Sequence, residues 1–380
     1  MPPKSIKILL FSTAYLPFTG GAELAVKEIT DRLKDVELDL ITAKLKRGLP
    51  DFEKVGNMNV YRIGAGSIFD KPLLPNLGFL KAINLHKKKR YDLIHGIMAS
   101  QGSAAAYLFK FFYPKVPFVL TLQEGDLNRN SPFDRFWQKR IIKKADAITV
   151  ISNYLAGFAI RFNKKAPIFI VPNGVGLSKF QIPKSKLQIN SKFQNPNRKT
   201  IITVSRLVRK NGIDILIKAV KELKINDWEL RIIGDGPERK KLRKLAEKSG
   251  IADRVKFLGN VPNEKIPEYL AEADVFVRPS RSEGLGTALL EAMAAGVPVI
   301  GTPVGGIPDF LKDEETGLIC EMENPEDLAG EINRILKDKN LKRKLVENGR
   351  KLVEKNYNWD KIAIRMLDVY EKTLNNYSGI

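Results

Sequence analysis

Two glutamates, Glu283 and Glu291, bracket the segment EGLGTALLE of this 380-residue chain. Gly284 and Gly286 bend the loop between them around Leu285. From Thr287 the run TALLEAMAA has high helix propensity and stops at Gly296. Glycine lets a backbone approach a ligand, and the unpaired N–H groups of a first helical turn favour an anion such as phosphate. Two carboxylates then flank the phosphate position. The spacing of two glutamates has little weight alone, because roughly one such pair arises by chance in a chain this long. The bland alternative is a helix whose glutamates are solvated.

The elements that must position such a site alternate. Strand-like runs occur at 5–12, 37–42, 92–95, 117–121, 147–151 and 167–171, and a fresh one begins at Thr200–Ser205. Helix-like segments separate most of them, the pattern of a parallel sheet covered on both faces. In such sheets ligands bind at the carboxyl ends of the strands. Candidates there are the turn Thr19-Gly20-Gly21, His95 at a strand end, Gln123 after FVLTL, Asp126 three residues on, and Arg206 with Lys210. A terminal histidine is as often a structural hydrogen-bonding residue, and a Gly-Gly pair is more often a plain turn.

Composition bounds the function. The length implies two domains of similar size, and 43% hydrophobic with 28% charged residues describes a soluble globular protein. No apolar run approaches the roughly 18 residues that span a bilayer, and the N-terminal stretch reads as a strand rather than a signal peptide. The single Cys320 excludes an internal disulfide and a multi-cysteine metal site, and a reducing cytoplasm fits. Net charge is +21, and residues 1–175 hold 27 Lys and Arg against 14 Asp and Glu. Nucleic acid, anionic lipid and phosphorylated substrates are all compatible partners. No zinc-finger or RNP-type aromatic pattern accompanies the charge, so nucleic acid is not expected as a partner.

The stretch PSRSEGLGTALLEAMAAGVPVIGTPVGGIPD resembles, almost position for position, the donor-site signature of retaining glycosyltransferase family four. SRLVRKNGIDILIKA, IIGDGPERKKL, VKFLGNVP and PFTGGAE extend the likeness, densely over 200–330 and in patches over 1–175. The resemblance implies the GT-B fold: α/β, with two Rossmann-like domains facing each other across a cleft. Residues 1–173, completed by a C-terminal helix at 360–380, would form the acceptor-side domain, and 174–359 the nucleotide-sugar-binding domain. Glu291 matches the family's ribose-binding carboxylate and Glu283 the carboxylate gripping the donor sugar near the reacting face. Arg206 and Lys210 would stabilise the diphosphate as catalytic cations. Gly20, Gly21, Gln123, Leu258, Gly284, Leu285, Gly286 and Thr287 would contact the donor, and His95 and Asp126 would lie on the acceptor side. No metal and no cofactor are implied.

The chain departs from the pattern twice. Gln123 stands where the family often has histidine; an amide cannot titrate but can hydrogen-bond a sugar hydroxyl. A lysine is expected five residues after the arginine, and Asn211 occupies that place with Lys210 one earlier. Lys210 is expected to take the phosphate role because its long stem absorbs the shift. The alternative is Asn211 acting as a neutral donor.

Ser131–Lys144 adds a further candidate surface. Read as a helix, it stacks Phe133, Trp137 and Ile141 on one stripe and Arg135, Lys139 and Lys143 on another. That basic stripe, with the run Lys87–Arg90, is either a solvated face or a contact for anionic membrane or a lipid-phosphate acceptor. The expected function is transfer of a hexosyl unit from a nucleotide sugar to a sugar, lipid-linked or small-molecule acceptor. The expected location is cytoplasmic, with possible association at the membrane's inner face. The competing classes are a nucleotide-sugar epimerase of the same fold and a basic nucleic-acid binder.

Overall fold

The computed structural model describes residues 5–18, 20–123, 132–180 and 198–378. The chain divides into two compact units: residues 1–173 with 359–380, and residues 174–358.

In the first unit the chain runs β1 (Ile6–Phe11), α1 (Gly21–Thr30), β2 (Val36–Ala43), β3 (Phe52–Val55), β4 (Met58–Ile63) and α2 (Asp70–Lys89). It continues through β5 (Leu93–Ile97), α3 (Gln101–Phe112), β6 (Phe118–Leu122), α4 (Pro132–Lys144), β7 (Ala147–Val150), α5 (Asn153–Phe162) and β8 (Ile168–Ile170). The strands form one sheet in the order β3-β4-β2-β1-β5-β6-β7-β8. All neighbours are parallel except the hairpin β3–β4. Continuous apolar runs such as ILLF of β1 and LIHGI of β5 are buried along their length, as strands covered on both faces require.

Two helical layers do the covering. Helix α1 packs with the C-terminal helix, numbered α13 below (Trp359–Ser378), over Ile8, Leu10, Leu38 and Leu40. On the other face α2 packs on α3, α3 on α4, and α4 on α5. Gly78 of α2 lies so close to Ile41 and Ala105 that an added Cβ would stand 3.4 and 3.3 Å from their side chains.

The second unit runs α6 (Leu177–Phe180), β9 (Lys199–Val204), α7 (Ile213–Lys221), β10 (Trp228–Ile233), α8 (Arg239–Lys248), β11 (Val255–Gly259), α9 (Ile266–Ala271) and β12 (Val275–Arg278). Then follow α10 (Thr287–Ala295), β13 (Val299–Gly301), β14 (Leu318–Ile319), α11 (Pro325–Lys337), α12 (Lys339–Asn356) and, returning to the first unit, α13. Its six parallel strands lie in the order β11-β10-β9-β12-β13-β14. From β9 the connections run to one side through β10 and β11, and from β12 to the other. The β9/β12 boundary is therefore a topological switch point, where the loops diverge and leave a crevice.

Candidate active site

Arg206 and Glu283 flank that switch point from the two loops that open it. Arg206 is exposed two residues after β9, and Lys210 is half-buried in a single 3-10 turn, Arg209–Asn211. The loop after β12 carries Glu283 and passes through Gly284, Leu285 and Gly286, all buried, into α10.

The two loops are fastened together. Gly212 adopts φ +68°, and a Cβ there would stand 1.8 Å from the Pro279 carbonyl oxygen. The Arg281 N–H donates to the Lys210 carbonyl at 2.7 Å. The Arg281 guanidinium donates twice to Asp214, at 2.8 Å each, and also pairs with Glu323. Against the effect of its own burial, the Arg281 guanidinium holds the Asp214 carboxyl below its ordinary range. From the other side Gly305, at φ +57°, backs onto Glu283, where a Cβ would stand 1.7 Å from the Glu283 carbonyl oxygen. Both positions demand glycine. The second glycine turn of the signature thus fixes the backbone of the first.

Glu283 is an ion-paired carboxylate. Its Oε1 accepts from Arg278 Nη2 at 2.5 Å, and both side chains are nearly buried. Arg278 was not among the sequence candidates. The signal that could have found it is an arginine ending the apolar strand VFVR directly before the glutamate loop. Asn211 is 2% exposed and its amide is engaged: Nδ2 donates to the Arg206 carbonyl at 2.5 Å, and Oδ1 accepts from Arg278 Nη2 at 3.2 Å.

Glu291 sits on the second turn of α10 in a different setting. Desolvation pushes its carboxyl up to about 7, with the Lys179 ammonium pulling the other way. Helix α10 begins at Thr287 after Gly286, whose φ of +92° swings the chain into the helix without a side-chain cap. The N–H groups of Thr287 and Ala288 therefore have no intrahelical acceptor, and Leu289 donates to the Gly286 carbonyl at 2.9 Å. Leu258 occupies a β-bulge: Ile232 pairs with Phe257 and Ile233 with Gly259, which leaves Leu258 out of register. Bulges of this kind re-aim a residue next to a site. Ser205 is 8% exposed, and its Oγ has no hydrogen-bond partner among the described residues. An orphan hydroxyl at a strand's carboxyl end fits a bound ligand.

In the first unit Gly20 forms the extended, exposed entry to α1, and Gly21 opens the helix. Gln123 directly follows β6, and its Oε1 is buried without a partner among the described residues. The switch point here is β1/β5, where Thr13 Oγ1 and Ser100 Oγ lie 2.9 Å apart and the Gly102 N–H donates to Thr13 at 3.0 Å. Asp126 and Thr19 lie outside the described residues.

His95 requires a correction. It is the middle residue of β5 rather than its end, is 2% exposed, and does not reach the rim. Its Nδ1 is 2.8 Å from the Tyr370 hydroxyl and its Nε2 2.6 Å from Thr121 Oγ1. Burial depresses its pKa to about 3. It is a neutral core residue tying α13 to the sheet.

Comparison with known proteins decides the family. Residues 185–352 match the family described as glycosyl transferases group 1, and residues 19–179 match Glycosyltransferase Family 4. The chain belongs to glycosyltransferase family four. A glycosyltransferase of Methanocaldococcus jannaschii, itself uncharacterized, is 28% identical over 96% of this chain and 98% of that protein. The GDP-mannose-dependent alpha-(1-6)-phosphatidylinositol monomannoside mannosyltransferase of Mycobacterium tuberculosis is 33% identical over 62% of this chain and 64% of its own length. Among solved structures, sucrose-phosphate synthase from Thermosynechococcus elongatus superposes with a TM-score of 0.84 at 25% identity, covering 98% of this chain and 100% of that one. The family-four chain has the GT-B fold, α/β with two parallel-sheet domains, and is a glycosyltransferase.

Proposed function

We propose that this glycosyltransferase moves a hexosyl unit from a nucleotide-sugar donor with retention of configuration and without a metal ion. The observation that carries the reading is the switch point of the second unit. There Arg206, Lys210, an uncapped helix start and two carboxylates in unlike environments surround one edge of the sheet. A diphosphate leaving group needs positive charge, a ribose needs an acceptor for its hydroxyls, and the hexose needs a second acceptor. Arg206 and Lys210, with the N–H groups of α10, would stabilise the diphosphate. Glu291 would accept from the ribose hydroxyls and Glu283 from the sugar. Leu258 would meet the base through its main chain, and Gly20, Gly21 and Gln123 would contact the donor.

In the proposed reaction the acceptor oxygen bonds to the anomeric carbon on the face from which the phosphate oxygen departs. The departing oxygen takes the acceptor hydroxyl's proton, so no enzyme-bound sugar forms. Catalysis comes from positioning and from charge stabilisation of the leaving diphosphate. Proton NMR of the product's anomeric signal tests retention. Turnover that persists in EDTA tests metal independence; loss restored by Mn²⁺ or Mg²⁺ contradicts it.

For the acceptor, the proposal favours a lipid-linked sugar met at an anionic membrane surface. Helices α2–α5 together carry twelve Lys and Arg against two Asp, whereas α1 and α13 carry four against five acids. The same layer and its entry expose Ile68, Phe69, Leu73, Leu77 and Leu80, followed by Phe111, Phe112 and Phe136. A basic face set with apolar side chains suits an anionic bilayer interface. No helix of the described residues is long and apolar enough to cross a membrane. The mycobacterial relative, named for a phosphatidylinositol-linked acceptor, is consistent with this choice. Co-sedimentation with anionic but not neutral vesicles, falling with salt, is the test.

A further inference from the structure

Arg278 ends β12 at the centre of the site's edge, 8% exposed, with its guanidinium bonded in four directions. Nε donates to Ser280 Oγ at 2.9 Å, and Nη1 to the Val204 carbonyl at 2.8 Å. Nη2 donates to Asn211 Oδ1 at 3.2 Å and to Glu283 Oε1 at 2.5 Å. Asn211 in turn donates to the Arg206 carbonyl. A single buried cation thus joins the end of β9, the turn beneath Lys210, its own loop and the candidate carboxylate. Only a planar fork can serve four acceptors at once.

Two consequences follow from the charge. A nearly buried carboxylate with no partner would be costly, and Arg278 supplies that partner. An unpaired carboxylate beside a diphosphate would also repel it, and the pair is neutral overall. Geometry adds a third. Arg278 engages Oε1, and Oε2 is the second acceptor that the carboxylate can offer to a ligand hydroxyl.

We infer that Arg278 is a positioning residue for sugar transfer, holding Glu283 with one oxygen presented to the donor sugar and cancelling its charge beside the diphosphate. This rests on the function proposed above for Glu283. Asn211 is the coupling group, and a lysine at 211 would bring an ammonium close to the place Arg278 Nη2 now occupies.

The test compares Arg278→Met, Arg278→Lys and the double variant Arg278→Met with Asn211→Lys. Turnover, donor KM, free nucleoside-diphosphate affinity and melting temperature are read for each. Arg278→Met should lower kcat about 100-fold and, by uncovering the Glu283 charge, weaken nucleoside-diphosphate affinity by more than about threefold. Asn211→Lys should recover at least about tenfold of that loss, because the charge is restored without the original packing. Arg278→Lys should fall between them, and it carries the test if the methionine variant does not fold. Turnover within threefold of the parent in Arg278→Lys and Arg278→Met overturns the inference. So does a loss that tracks the melting temperature and is not recovered by the lysine at 211. If Glu283→Gln leaves turnover unchanged, the role of Glu283 itself fails. If Glu283→Gln abolishes turnover while the Arg278 variants keep it, only this inference fails.

Discussion

Glu283 and Glu291 belong to one short loop–helix segment, yet the fold treats them in opposite ways. Glu283 lies in the loop after β12 against a buried guanidinium, with its backbone pinned by Gly305. Glu291 lies one turn into α10, desolvated enough to push its carboxyl up to about 7 against the opposing pull of the Lys179 ammonium. A carboxylate that accepts from neutral hydroxyls can do so without a paired cation. One that stands where charge develops is better kept paired. The difference argues for ribose recognition at Glu291 and for a role in turnover at Glu283.

Substitutions can break that contrast, and Glu283→Gln should have the largest effect. It is expected to cut kcat by about 100-fold or more and leave nucleoside-diphosphate affinity within about threefold. Equal losses of free-nucleotide affinity in Glu283→Gln and Glu291→Gln would erase the distinction. Glu291→Gln should weaken nucleotide and nucleotide sugar alike, by about tenfold, the worth of one charge-assisted hydrogen bond.

Glu291 also sets a pH signature. Its folded pKa lies above the ordinary 4.5 at about 7, so the folded state holds the proton more tightly than the unfolded one. The stability contributed by this group is present below about 4.5 and lost as pH rises towards 7. Bound hydroxyls donate to the ionised form, so nucleotide affinity should rise as pH passes through about 7. Calorimetry in buffers across that range checks the slope, which Glu291→Gln should flatten.

Smaller effects sharpen the picture around Arg206. Lys210→Ala should lower turnover several-fold with the melting temperature little changed. Asn211→Ala should act mainly on stability, by about 1–3 kcal/mol, because it takes one of four acceptors from Arg278 and one of two donors from the Arg206 carbonyl in a buried site. A turnover loss from Asn211→Ala exceeding that of Lys210→Ala, at unchanged stability, would reverse the assignment. The smallest effect on the chemistry should come from the outer helical layer. Reversing Arg135, Lys139 and Lys143 together should reduce anionic-vesicle binding and leave turnover of a soluble acceptor unchanged.

Much of this was legible in the chain because the informative residues carry their reasons locally. The glycine turns, the helix start at Thr287 and the alternating apolar strands each follow from short-range patterning. Three features were not. His95 reads as a strand end only if β5 stops at the histidine, and the strand runs on to Ile97 because Gly96 and Ile97 continue the ladder with β6. The hairpin β3–β4 went unseen because β3 is four residues long with no buried position, and β4 places the charged Arg62 at an inward position. Arg278 went unseen because its significance depends on Val204 and Asn211, more than sixty residues away in sequence. Long-range polar contacts leave no periodic trace, whereas the donor motif lies within one segment.

The central claim is that the second unit's switch point binds a nucleotide sugar through Glu291. Thermal unfolding of the parent and of Glu291→Gln against a panel of UDP- and GDP-sugars tests it most directly. A ligand present at 100 times its Kd should stabilise the parent by about 2.7 kcal/mol, and the same concentration should stabilise Glu291→Gln by distinctly less. No shift in the parent with any member of the panel, or an equal shift in both proteins, would contradict it.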